Sequence, residues 1–439
     1  MSFFNQDQIY QIESCLSLAL KRGASGAAIE ANYEESYACG FAAGRLKHTG
    51  TSESLRYKIE VIRNGKRGSA GGNIFTELDK MLERALLLAD NGAKANFDSY
   101  PEPGSNYARI KQNCSSVARL TREKLVEDCN ILVSRLKELD DKLDIDAGAK
   151  RSQSQSIFAH TGGFLKKYNY SQWSLGAGFS KLSGEDMLFA GRGRSWGKVN
   201  ALYDLAYLGD KLIEDYNYGK HIADFGGASL PVILSPALTM SFLSPVVGAL
   251  NGRNVYKGIS PLKDKLGKKV FNADLSIKDE PHIDYAPGSS SFDSVGLPTR
   301  PALLIENGVP LMFMYDYDTA HLTGNCSTNH IGCAPYNVRI RPGNIHSKEL
   351  LANCKEAVYI QSLLGFGQSN LANGDFSCNL AVAYLVRNGE IQGRIKNAMM
   401  AGNIFELFAG DMQISADLEA NSKMPHLFFP SINIATKNK

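Results

Sequence analysis

Residues Ser235–Gly252 read SPALTMSFLSPVVGALNG, and what this stretch forms, and what flanks it, decides the fold. Ser235 and Pro236 make a helix start, a side-chain cap followed by a proline at the first helical position. The apolar run from Pro236 to Leu250 is interrupted by Thr239, Ser241 and Ser244. It is also shorter than the roughly 20 residues of a membrane span. Pro245 falls inside the expected helix, where a proline removes a hydrogen bond and clashes with the preceding turn, at about 3 kcal/mol. The helix is therefore expected to kink or break there, or to begin again with Ser244 as cap.

Working outward, a strand at Leu230–Leu234 precedes this helix, and mostly β sequence follows it. Asn307-Gly308 after ALLIE and Asn388-Gly389 after AYLVR are hairpin turns between apolar flanks. Upstream, glycines cluster in Tyr218–Gly227 (YGKHIADFGG), a plausible domain boundary. The first half opens with a helical pattern at Gln6–Arg22. An alternating strand, Tyr57–Arg63, then meets the tight turn Asn64-Gly65. Thr76 is read as the cap of a helix that buries Leu78, Met81, Leu82, Ala85 and Ala89. The clearest helix begins at Thr121, with Leu125, Cys129, Leu132, Leu136 and Leu139 at helical spacing. Cys129 lies on that stripe and reads as core. Leu143–Trp196 reads as short strands, and a helix at Ala201–Tyr216 closes the half. The expectation is an α+β chain of two domains: a helix-plus-sheet N-terminal half, residues 1–220, and a β-rich C-terminal half, residues 221–439, with the helix of Ser235–Gly252.

With 439 residues, 44% hydrophobic and 21% charged, the chain has the apolar content for a sizeable core. A net charge of +3, with only short basic runs such as Lys263–Lys269, is no nucleic-acid footprint. The start, MSFFNQDQIYQIES, has neither the basic nor the apolar region of a secretory signal. Eight scattered cysteines without a CxxC pair indicate reduced thiols. A soluble cytoplasmic protein, in contact with neither nucleic acid nor membrane, is expected. The eight histidines are equally scattered: the closest pair, His321 and His330, is nine residues apart. No His-x-x-His, His-Glu-x-x-His or His-Glu-x-x-x-His occurs, so the usual helical zinc-hydrolase constellation is excluded.

Ser235–Gly252 nevertheless resembles the motif helix of the TldD/TldE (PmbA) protease family, known also as modulators of DNA gyrase. In the TldD branch that helix carries His-Glu-x-x-x-His, two zinc ligands and a catalytic glutamate. Those three positions fall here on Ser244, Pro245 and Ala249, which points to the PmbA (TldE) branch. SGAAIEANYEES and the KRGSA turn resemble the family's N-terminal domain. Further landmarks follow in order over about 160 residues: VVGALNGRNVY (Val246–Tyr256), the Leu266-Gly267-Lys268 turn, Phe292-Asp293-Ser294 with Gly296, the Ile305–Gly308 hairpin, Gly374–Ser377 and Ala401–Asn403. The resemblance implies a subunit with no metal and no catalytic residue of its own, inactive alone. Zinc would sit on a TldD-type partner, and extended peptides would be cleaved or matured in a shared cavity. It implies Ser244, Asn251, Asp293, Asn325 and His330 as residues lining the cavity or the subunit interface. The alternative is a homodimer that binds peptides or another ligand without chemistry. The gyrase label is read as an indirect effect of peptide or protein turnover.

Other chemistry is thinner. Cys326–Cys333 (CSTNHIGC) could supply three zinc ligands, Cys326, His330 and Cys333, with Cys378 approaching the same cavity; it could carry a redox-active or otherwise reactive thiol at Cys326 or Cys333; or it could be ordinary buried thiols. Gly193–Gly197 (GRSWG) matches Gly-x-Ser-x-Gly, but Arg194 and Trp196 crowd Ser195. Asp316 and Asp318 in MYDYDTA would share one face of a strand.

Overall fold

The computed structural model describes residues 3–198, 201–420 and 422–436. Helix α1 (Gln6–Lys21) starts on Asn5, which exchanges side-chain and backbone hydrogen bonds with Gln8, a capping box. Strands β1 (Gly26–Ala42), β2 (Arg45–Arg63) and β3 (Lys66–Gly72) follow as an antiparallel meander. Asn64 and Gly65 both have positive φ, 51° and 68°, as the Asn-Gly hairpin turn requires. Helix α2 (Leu78–Asp90) buries the expected apolar face. Thr76 does not cap it, because the chain first makes a 3-10 turn at Phe75–Glu77 and enters α2 without a side-chain cap.

A one-turn helix α3 (Ser115–Ala118) leads to α4 (Arg122–Leu139), where the Thr121 hydroxyl accepts from the Lys124 amide at 3.2 Å. Cys129 is fully buried there, as its place on the stripe predicts. The next three strands are β4 (Asp144–His160), β5 (Phe164–Ser183) and β6 (Asp186–Trp196), of 17, 20 and 11 residues. They are long where short ones were expected. Glycines pair across β5 and β6, Gly176 with Gly193 and Gly178 with Gly191, so the ladder runs through them. Helix α5 (Ala201–Gly219) ends the half. The six strands form one antiparallel sheet in the order β3-β2-β1-β4-β5-β6. Helices α1 and α2 share a core with β1 and β2, and α4 and α5 share a second with β4, β5 and β6.

Strand β7 (Ala228–Leu234) leads into α6 (Pro236–Ala249) and α7 (Gly252–Tyr256). Then come β8 (Ile277–Asp279), β9 (Ala302–Glu306), β10 (Val309–Pro310), α8 (Tyr317–Thr323), β11 (Val338–Ile340) and α9 (Ser347–Ala352). The chain finishes with β12 (Glu356–Leu364), β13 (Asp375–Arg387), β14 (Glu390–Arg394) and β15 (Ala398–Asn403). Helix α10 (Ile404–Ala409), β16 (Gln413–Leu418) and β17 (Pro425–Thr436) close it. Strand β12 pairs with both β7 and β13, so β7, β17, β15, β13 and β12 close into a ring. Closure leaves these strands without a free edge. A small sheet, β10-β9-β8-β11, lies apart from the ring. The architecture is α+β, with a β-rich second half.

Helix α6 packs into the core of the ring. Phe242 stacks on Phe366 at 4.9 Å between ring centres and meets Phe376 edge-on at 5.5 Å. Two expectations for this helix are overturned. The Ser235 side chain does not cap it; its Oγ donates instead to the Gln361 carbonyl at 3.4 Å, tying the helix start to β12. Nor does the helix break or restart at Pro245: it runs unbroken from Pro236 to Ala249. Phe242, Leu243 and Val246 around the proline are fully buried, and that packing holds the turn whose hydrogen bond proline removes. Among the described residues no helix is long and apolar enough to cross a membrane.

Candidate functional site

Three positions of α6 turn toward one hollow. Ser244, Pro245 and Ala249 line a cavity of about 210 Å³ with Gly248, Asn254 and Ser260. A hydroxyl, a proline ring and a methyl group offer no zinc-binding set there.

Two residues past α6, Asn251 caps α7 by accepting from the amides of Arg253 (2.9 Å) and Asn254 (3.3 Å). Asn251 Nδ2 donates to the Gly332 carbonyl at 3.1 Å, joining the end of α6 to the loop 326–333. Asn254 faces the first cavity, while its neighbour Arg253 lines a second, of about 370 Å³. Residues from both halves of the chain enclose the second cavity: Glu30, Arg67 and Phe158 from the large sheet, Asp316, Asp318 and Gly332 from the second half. Asp318 braces it, accepting from Arg67 at 2.5 Å, Arg253 at 2.9 Å and Asn96 at 2.9 Å. The Arg67 guanidinium also lies 4.7 Å from the Phe97 ring centre. Asp316 and Asp318 are therefore not on a strand: Asp316 caps α8, accepting from the Thr319 amide at 2.7 Å, and Asp318 lies in its first turn. The helical cap wins because Asp316 precedes a run that can close a turn on its carboxylate.

Asp293 borders this region and is 2% exposed. Its Oδ1 accepts from the amides of Val295 (3.0 Å) and Leu297 (2.9 Å), and burial pushes its pKa up to about 6. The turn it shapes rests on His160, whose Nε2 lies 2.9 Å from the Val295 carbonyl while its Nδ1 accepts from the Gly162 amide at 3.1 Å. These two contacts select the neutral tautomer with the proton on Nε2. At Gly296 φ is +77°, and a Cβ would stand 2.7 Å from the Phe164 ring and 3.0 Å from His160 Nε2. Gly296→Ala is expected to destabilise the protein by about 1–3 kcal/mol, seen as a lower melting temperature. Melting like that of the parent would contradict the close fit.

The other expected site residues are spread out. Asn325 is exposed just past α8, with Nδ2 donating to Thr323 Oγ1 at 2.9 Å. His330 is 2% exposed, its Nδ1 2.8 Å from Thr328 Oγ1 and its Nε2 3.4 Å from Oδ2 of the buried Asp279. Cys326 is exposed, while Cys333 is buried and its Sγ accepts from the Asp316 amide at 3.3 Å. Cys378 sits in the ring core on β13, where burial pushes its thiol up to about 12. The four do not gather: among the described residues no group of three or more His, Cys, Asp and Glu side chains is placed to hold a metal ion. Ser195 lies within β6 and accepts from Gln172 Nε2 at 2.7 Å, not on a strand-to-helix elbow. Arg67, Arg253 and the bracing role of Asp318 escape a reading of the sequence, because Arg67 and Asp318 are 251 residues apart. The only trace is that Arg67 and Arg253 fall in KRGSA and VVGALNGRNVY.

Residues 227–436 match the sequence profile of the PmbA/TldA metallopeptidase C-terminal domain. A metalloprotease of Methanothermobacter thermautotrophicus is 24% identical over 377 residues, 83% of this chain and 82% of its own length. The crystal structure of TldE from Thermococcus kodakarensis superposes with a TM-score of 0.87 at 19% identity, over 97% of this chain and all of that one. A proposed modulator of DNA gyrase from Bacteroides thetaiotaomicron superposes at 0.90, also at 19% identity, over 99% of this chain and all of its own. Likeness at such low identity is a likeness of fold.

Proposed function

The chain belongs to the TldE/PmbA family, and on that premise we propose that it is the subunit without a zinc site in a peptidase assembly acting on unfolded or extended peptides. One observation carries the proposal: the three positions of α6 that would hold the metal and the general base face one cavity and are Ser244, Pro245 and Ala249. None can ligate zinc or accept a proton as the family's chemistry requires, so no reaction step is assigned to this chain. What it contributes is shape and hydrogen-bonding surface: Ser244 at the first cavity, Asn251 at the α6–α7 junction, and Asp293 holding the turn beside the second. An extended peptide would be held largely through its backbone, with little dependence on sequence. Asn325 and Cys326, exposed in the loops after α8, face outward and suit contact with a TldD-type subunit or a second copy. The same reading divides the chain at about residue 220 and places it in the cytoplasm, where eight unpaired cysteines stay reduced.

The test is metal content and mass of the purified chain, alone and co-expressed with a His-Glu-x-x-x-His protein of the same family. The expected result is a complex with one zinc per pair and none on this chain alone. A stable homodimer that binds peptide and ignores the partner would favour a binding protein instead. Stoichiometric metal on the isolated chain would overturn the assignment.

A further inference from the structure

The cavity of about 370 Å³ falls in the range of about 300–1,000 Å³ of small-ligand clefts, and its charges are unevenly committed. Its cations are already engaged. Lys58 Nζ is 3.2 Å from Glu60 Oε2, and Arg67 and Arg253 both bind Asp318. Glu60 is further occupied by the Tyr100 hydroxyl at 3.0 Å. Two carboxylates remain. The Glu30 side chain makes no ion pair or hydrogen bond among the described residues, with Lys58 directly opposite it across β1 and β2 but turned to Glu60. Asp316 gives one oxygen to the Thr319 amide and makes no ion pair among the described residues. Three cations thus face four carboxylates across the cavity. One donor, Arg67 Nε, is buried without a partner among the described residues, and free acceptor oxygens remain on Glu30 and Asp316. The half-buried Phe158, opposite Glu30 across β1 and β4, adds an aromatic ring to the lining, a group that can attract a cation.

We propose that this cavity receives a cationic group of a bound peptide, an ammonium or a guanidinium, between the Glu30 and Asp316 carboxylates. The proposal rests on the peptide-handling reading above and adds to it a preference for basic peptides. Position supports it. Arg253 and Asn254, adjacent in α7, line the two cavities, so a strand held along α6 and α7 has the acidic hollow within reach. A peptide cation can come from its N-terminus or from a Lys or Arg side chain, and both present the same chemistry to two carboxylates.

The experiment uses the full chain and three fluorescent peptides labelled at the C-terminus and otherwise matched. One is acetylated without basic residues, one acetylated with a single central Lys, and one has a free N-terminus without basic residues. At low salt the Lys peptide, the free-amine peptide, or both should bind about tenfold tighter than the neutral one. A gain confined to the Lys peptide assigns the cavity to side chains; a gain confined to the free amine assigns it to N-termini. Glu30→Gln with Asp316→Asn should erase the gain, so that the three peptides bind alike. Asn retains the α8 cap, and Glu30→Gln alone, on an exposed strand position, should erase part of the gain if the double variant folds poorly. Equal binding of all three peptides, or a preference that survives both substitutions, overturns this proposal and leaves the peptide-handling reading intact. No binding of any peptide, with or without the zinc-bearing partner, would remove both.

Discussion

Asp215→Ala is expected to destabilise the protein by about 3–5 kcal/mol, the range for breaking a buried ion pair from one side. Arg192 on β6 donates through Nε and Nη2 to the two Asp215 oxygens, each at 2.7 Å, and Asp215 on α5 is 1% exposed. Burial pulls the guanidinium's pKa down, but the hydrogen bonds and charge of Asp215 outweigh it and leave the pKa above its usual value. Removing Asp215 alone strands a charge that cannot be shed, and that is where the loss originates. Replacing both partners, Arg192→Met with Asp215→Leu, should recover most of it, since two desolvated charges disappear together. Urea unfolding of the two variants beside the parent measures this. A loss below about 1 kcal/mol for Asp215→Ala would mean the pair behaves like an exposed one. Arg192 also lines a cavity of about 540 Å³ at the start of α6, beside Ser235 and Pro236, so the single variant should disturb the motif helix as well as α5.

The second large effect is loss of stability in acid. Burial holds the pKa of His160 down from 6.5 to about 4. Burial does the same to His426, lowered from 6.5 to about 4, although the Asp417 carboxylate, 3.8 Å from its Nδ1, pulls the other way. In the unfolded chain both would take up a proton near pH 6.5; in the folded chain they resist it. Their stabilisation is therefore complete above 6.5 and is lost as pH falls toward 4, by about 3 kcal/mol for each. Asp293 has the opposite sign. Its pKa is raised from 3.8 to about 6, so the stability linked to it is full below 3.8 and lost as pH rises to 6. It offsets roughly one histidine, and the net expectation is a loss of about 3 kcal/mol between pH 6.5 and 4. Urea midpoints across that interval test it, and a flat profile would refute it. His160→Gln should remove its share of the slope. Protonating His160 Nδ1 also ends its bond from the Gly162 amide, so the turn of Asp293 and Gly296 should loosen in the same interval.

Much of the fold was open to a reading of the residues, where the signal was local. The turn at Asn64-Gly65, the cap at Thr121 and the buried stripe through Cys129 each depend on contacts within a few residues. The same reading failed where distant partners overrode local preference. Thr76 is bypassed by a 3-10 turn, and Ser235 is drawn to Gln361. Pro245 stays helical because the ring core packs around it. Leu143–Trp196 reads as short strands, yet the sheet pairs its glycines with one another and the strands run long.

The candidate site divides along the same line. By itself the sequence determined what cannot happen at α6: no histidine pair exists at helical spacing, and the identity of residues 244, 245 and 249 excludes a zinc set whatever the fold. It also determined the helix, the Asn-Gly hairpins and the α+β composition, because these follow from side-chain chemistry and short-range periodicity. Only the tertiary structure decided that Cys326, His330, Cys333 and Cys378 form no metal-holding group among the described residues, and that Asp318 joins Arg67 to Arg253 across the two halves of the chain. It alone placed Glu30 and Asp316 on a shared cavity, where neither carboxylate makes an ion pair among the described residues. Pairing of charges more than two hundred residues apart depends on how sheet and ring are brought together, and no spacing along the chain encodes that distance.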